Sequence, residues 1–132
     1  LNNTDKYLLS GSGDTTIKVW DIDQLKCIKT LTNDNNSCLT ALITFKNEGK
    51  EYFASSSYNN YTIVVWDASD FKALFILDGY HREGRHLSST CNNGKLFIVS
   101  QHKLGVIFWD FENRTEYKSI DTQRYRTKHT LF

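Results

Sequence analysis

The chain has 132 residues and a mass of 15.3 kDa, enough to bury one modest hydrophobic core, with 39% hydrophobic and 23% charged residues and a net charge of +1. That balance excludes a disordered chain. No run approaches the ~18 consecutive apolar residues of a membrane span, and no N-terminal segment has the charged-then-apolar layout of a secretory signal.

In chain order, Tyr7-LLS reads as a strand, Gly11–Asp14 as a polar hairpin turn, and the run to Trp20-Asp21 as a second strand. There Ile17 and Val19 alternate with Lys18 and Trp20, the period of two that a pleated strand imposes. Cys27-IKTL follows as a third strand, and Cys38-LTALITF opens a new unit. Tyr52-FASSS, a turn at Ser57–Asn60, a strand through Ile63 and Val65 to Trp66-Asp67, and Ala73-LFIL complete it. His86-LSSTC opens the next unit. Leu96-FIVS, a turn at Gln101–Lys103, a strand through Val106 and Phe108 to Trp109-Asp110, and Tyr117-KSI fill the rest. The unit ends fall near residues 31, 77 and 121, and Thr127-KHTLF reads as the opening strand of a further unit. No segment carries a helical period, and eight Phe, seven Tyr and three Trp favour strands.

The tryptophans recur at Trp20, Trp66 and Trp109, so the period is about 44 residues, with four strands to a unit. Such a period belongs to the radial blades of a propeller rather than to a sandwich. The segment Ser10-GSGDTTIKVWD and its two in-phase copies closely resemble the WD-repeat (WD40-type) family of β-propellers. The resemblance implies an all-β fold of about three four-stranded antiparallel blades, a partial ring filling residues 1–132. It also implies a hydrogen-bonded set in each blade, made by a turn Asp, a strand Ser or Thr, the Trp and an upstream His. Ser10, Asp14 and Trp20 match that set, and so do Ser55 and Trp66, with Asn60 at the Asp place. The third unit keeps Trp109 but has Lys103 at the Asp place, and a lysine cannot accept the bond. The set is therefore expected to be broken there. The opening Gly-His is also poorly kept, with Asn33-Asp34 in one unit and Gly79-Tyr80-His81 in another.

Three blades are fewer than a closed propeller needs, and an open arc exposes two blade faces. The chain also lacks methionine. Both facts read as a piece of a longer protein, whose remaining blades close the ring. The alternative is a second copy that completes it.

Catalysis has no support in these residues. Asp21, Asp67 and Asp110 occur once per blade at a strand end, as architecture rather than as acids or bases. Gly11-Ser12-Gly13 leads into a strand and is not followed by a phosphate-loop lysine. His81, His86 and Cys91 lack a shared face and a fourth ligand, so no metal site is expected, and no cofactor. Four Asn-x-Ser/Thr patterns read as a by-product of an Asn-rich sequence. Cys27, Cys38 and Cys91 show no close pairing, which argues against a disulfide framework. They fit a reducing, cytoplasmic or nuclear compartment.

The expected function is a non-catalytic scaffold for protein–protein interaction. The resemblance places binding positions before the turn Asp, here Gly13, Asn59 and His102, with Tyr58 and Tyr61 nearby. The inter-blade segment Tyr80-HREGRH adds His81, Arg82, Arg85 and His86. Charge supplies a second reading. Residues 1–78 carry seven Lys against ten acids, and residues 79–132 carry nine Lys and Arg against five. A basic second half suits weak binding of an anionic ligand, a phosphoinositide or nucleic acid.

Overall fold

Alternating apolar residues bounded by polar turns give a simple meander. The computed structural model describes residues 6–32, 37–58, 62–78, 86–103 and 105–121. Blade 1 contains β1 (Tyr7–Gly11), β2 (Thr16–Asp21) and β3 (Lys26–Thr32). Blade 2 contains β4 (Leu39–Asn47), β5 (Lys50–Ser57), β6 (Thr62–Asp67) and β7 (Lys72–Asp78). Blade 3 contains β8 (His86–Asn92), β9 (Lys95–His102), β10 (Gly105–Asp110) and β11 (Thr115–Asp121). Every strand pairs antiparallel with its sequence neighbour inside its own blade. The result is an arc of three sheets, an all-β partial propeller whose ring is not closed. Thr127-KHTLF, expected as an opening strand, lies outside the described residues.

Register decides which side chains meet. In blade 1, Leu8 pairs with Trp20 and Ser10 with Lys18, so these four share one face. Ile17, Val19 and Leu31 point the other way and enter a buried cluster with Phe53, Val64 and Trp66 of blade 2. The opposite face of blade 2 repeats the arrangement. Ile63, Val65 and Leu77 pack against Ile98, Ile107 and Trp109 of blade 3. Each blade therefore offers its tryptophan face to the blade before it and its Ile/Val face to the blade after it. Blade 2 is covered on both sides, which is why Ile63, Val64, Val65 and Trp66 are all buried in succession. Burying large apolar side chains this completely contributes roughly 1.5–3 kcal/mol apiece.

The turns follow the same economy of repetition. A β-bulge sits immediately before each tryptophan, at Val19/Trp20, Val65/Trp66 and Phe108/Trp109. Glu48-Gly49 and Asn93-Gly94 both take positive φ at two successive residues, the hairpin geometry that matches strand twist. Because the meander alternates direction, the β1–β2, β5–β6 and β9–β10 turns and the connections between blades share one end of the arc. That end is called upper here; the remaining turns form the lower end.

Candidate functional site

Each blade is locked by one indole–serine hydrogen bond, buried in blades 2 and 3 and part-buried in blade 1. The indole Nε1 donates to a serine Oγ in all three: Trp20 to Ser10 at 2.9 Å, Trp66 to Ser55 at 3.0 Å and Trp109 to Ser100 at 2.9 Å. A buried indole N–H needs such a partner, since leaving it unmade costs about 1–3 kcal/mol. The third bond corrects the expectation of a broken set. Lys103 supplies no carboxylate, yet Ser100 holds Trp109 without one. Ser100 escapes sequence matching because the Ser–Trp separation is 10, 11 and 9 residues in the three blades. Asp14 has a narrower part than the resemblance implied. Its carboxylate accepts from the Thr16 hydroxyl at 2.6 Å and the Thr16 N–H at 3.0 Å, closing its own turn. Those bonds, the Thr16 hydroxyl's first, hold Asp14 below the usual carboxylate range. Asn60, at the same place in blade 2, lies outside the described residues.

The aspartates that follow the tryptophans cap the lower turns. Asp21 accepts from the Gln24 N–H at 3.0 Å, Asp67 from the Ser69 N–H at 2.8 Å and Asp110 from the Asn113 N–H at 3.1 Å. Two of them also meet a lysine from the preceding hairpin, Lys50 with Asp67 at 3.3 Å and Lys95 with Asp110 at 2.9 Å. Sequence reading missed both lysines, although the repeated Gly49-Lys50 and Gly94-Lys95 steps signal them. The Ser69 hydroxyl and N–H, with help from Lys50, hold Asp67 low. Burial pushes Asp110 up, but Lys95 and Asn113 together outweigh it and leave the carboxyl lowered.

This has a consequence for pH. Groups with depressed folded-state values stabilise the fold fully above the ordinary carboxylate pKa of about 4, and lose that stabilisation as pH falls through their folded values. The thermal midpoint is therefore expected to hold between about pH 5 and 8 and to fall below about pH 4. Asp110→Asn should flatten part of that acid limb in a pH series of melting curves; an unchanged limb would remove Asp110 from the account.

The upper end carries the residues singled out for partner binding. Tyr58 is exposed, and its N–H donates to the Cys38 carbonyl at 2.9 Å. Cys38 Sγ in turn reaches the Gly13 carbonyl at 3.1 Å, and the Leu39 N–H reaches Ser12. Gly13 and Tyr58, on neighbouring blades, are thus tied to one short connection. His86 is exposed at the start of β8 and pairs in register with Gln101; its neighbour His102 is half-buried on the adjoining strand. Asn59, Tyr61, His81, Arg82 and Arg85 lie outside the described residues. At the lower end, a cavity of about 270 Å³ between blades 2 and 3 is lined by Tyr52, Phe75, Phe111 and Arg114 among others. Within that lining the Arg114 guanidinium lies 4.4 Å from the Phe75 ring centre. Among the described residues no helix is long and apolar enough to cross a membrane.

Known proteins resemble this chain in sequence. The WD domain, G-beta repeat family matches residues 1–21. The chain is similar to Protein NEDD1 of Homo sapiens, 26% identical over 125 residues that cover 92% of this chain and 18% of that protein. It is similar also to Kinesin-like protein KIF21B of Mus musculus and of Homo sapiens, 26% identical over 104 residues, 79% of this chain and 6% of each of theirs. The chain thus spans less than a fifth of the length of these relatives. With a Trp-Asp strand end in phase in all three blades and a Ser–Trp bond inside each, the chain is similar to the WD-repeat family.

Proposed function

We propose that this chain is a rigid, non-catalytic platform for protein–protein interaction inside the cell, one portion of a larger WD-repeat propeller. The observation that carries this reading is the build of the upper end. Gly13, Tyr58, His86 and His102 stand on short turns or strand ends, and the first two are tied through Cys38 across the junction of two blades. Such a surface presents side chains from a preorganised backbone, so little ordering entropy opposes binding. Asn59, Tyr61, His81, Arg82 and Arg85 belong to the same turns and connections by sequence and extend the proposed surface.

The anionic reading has less behind it. Residues 86–121 balance four cations against four acids, so the basic surplus belongs to segments 79–85 and 122–132. Affinity capture separates the two readings. Tyr58→Ala with His86→Ala should lose partner proteins that the wild type and a lower-end control, Asp23→Ala, both retain. Retention of every partner by the upper-end variant would defeat the platform reading. Binding to acidic vesicles or RNA that falls steeply with salt and vanishes with Arg82→Ala plus Arg85→Ala would favour the anionic one instead.

A further inference from the structure

The outer strand of each blade has a neighbour on one side only. β3, β7 and β11 each end their sheet, so among the described residues one edge of each leaves alternate backbone N–H and C=O groups without a ladder to join. Proteins commonly guard such an edge with a charge, most often a lysine, along its length. β3 has Lys29 at its centre, and β11 has Lys118. β7 has no charge there. Its five inner residues, Ala73-Leu74-Phe75-Ile76-Leu77, are all apolar, and only its two ends are charged, Lys72 and Asp78. Leu74 is 43% exposed and Ile76 53%. An uninterrupted apolar edge of β-forming residues, with no Gly, no Pro and no net charge, is the pattern that recruits another strand.

The sequence of β7 also says which strand fits. A two-fold axis through Phe75 lays this strand antiparallel on a second copy of itself. Lys72 of each copy then faces Asp78 of the other, Ala73 faces Leu77, and Leu74 faces Ile76. Both ends gain an opposite-charge pair, and the exposed aliphatic side chains meet in the middle. Moving the axis by one residue sets Lys72 against Ile76 or Asp78 against Leu74, so the charges select a single register. The other outer strands lack this property. Paired over their whole length about their midpoints, β3 would set Lys29 against its own copy and β11 would set Lys118 against its own.

We propose that the β7 edge is a self-association site, at which two copies of this chain join antiparallel through Lys72–Asp78 and merge their four-stranded second blades into one continuous sheet. The scaffold behind this edge is the blade covered on both faces, with β6 buried from Ile63 to Asp67. Neighbouring blades touch through their inner strands, β4 against β8, whereas β7 ends its sheet on the outer rim. Blades added to the arc therefore leave the site accessible. One strand pair buries less than the roughly 1,200–2,000 Å² of a standard interface, so the dimer is reversible and concentration-dependent. The proposal does not rest on the platform reading, because it uses the rim and not the upper end.

Sedimentation velocity over a concentration series tests it. The wild-type chain should show reversible monomer–dimer exchange. Lys72→Asp sets two acids opposite one another at both ends of the new ladder, and Asp78→Lys sets two lysines there. Each alone should weaken self-association at least about tenfold. An equimolar mixture of the two variants restores both opposite-charge pairs and should associate as tightly as the wild type. Ile76→Lys places a charge inside the edge, as β3 and β11 have, and should leave a monomer with an unchanged circular dichroism spectrum. A wild-type chain that stays monomeric up to about millimolar concentration overturns the proposal. So does a dimer that neither charge reversal weakens, which would join through blade faces instead, and so does a mixture no tighter than its components. Partner capture through Tyr58 and His86 is read independently, so the two readings fail separately.

Discussion

Trp109→Ala is expected to lower the free energy of unfolding by about 3–5 kcal/mol, read as a shift of the urea midpoint by far-ultraviolet circular dichroism. The ring is 2% exposed and sits in the larger apolar cluster beside Phe45, Ile63 and Val65, so its removal leaves a cavity between two blades. It also strands Ser100 Oγ, the acceptor of its indole bond. Trp109→Phe separates the two costs, because it keeps most of the ring and should lose only the hydrogen bond and a small volume, about 1–2 kcal/mol. Trp20→Ala is the control. That ring is half-buried on an uncovered face, and its loss should cost clearly less. Equal costs at Trp20 and Trp109 would contradict the assignment of covered and uncovered faces.

Gly105→Ala is expected to be comparably damaging for a different reason. At φ 158°, a Cβ on Gly105 would stand 1.9 Å from the Ile120 carbonyl oxygen and 3.1 Å from Asp121 Cα. Backbone lies on the far side of that contact, so no side chain can rotate away. β10 and β11 would have to separate at the Gly105–Asp121 and Val106–Ile120 pairs. The expected loss is about 3 kcal/mol or more, at the upper end of what overpacking costs. Amide exchange should show weakened protection in β11 first. Gly13→Ala, where a Cβ meets nothing within 4 Å, should leave the midpoint nearly unchanged. Full stability in Gly105→Ala would show that the strand pair can shift its register there.

The strands were legible in the sequence because alternation is local: Ile17 with Val19, then Ile63 with Val65, need no knowledge of the rest of the chain. Which face meets which blade was not. In β6 both faces are apolar and both are buried, so the pattern alone carries no direction. Ser10 and Ser55 could be picked out beside their tryptophans, whereas Ser100 hid behind a hairpin two residues shorter than that of blade 2. Lys50 and Lys95 reach aspartates on the adjacent strand, 17 and 15 residues away in sequence, and the Cys38 contact with Gly13 exists only because blades 1 and 2 meet.

The variable Ser–Trp separation has one more meaning. The lock closes over hairpins of three different lengths, so the Ser–Trp bond does not itself fix the length of the turn between its two ends. Evolution can thus rewrite the tip of an upper turn, or add to it, without renegotiating the core. A protein engineer can treat the same three places as sockets for foreign peptide sequence.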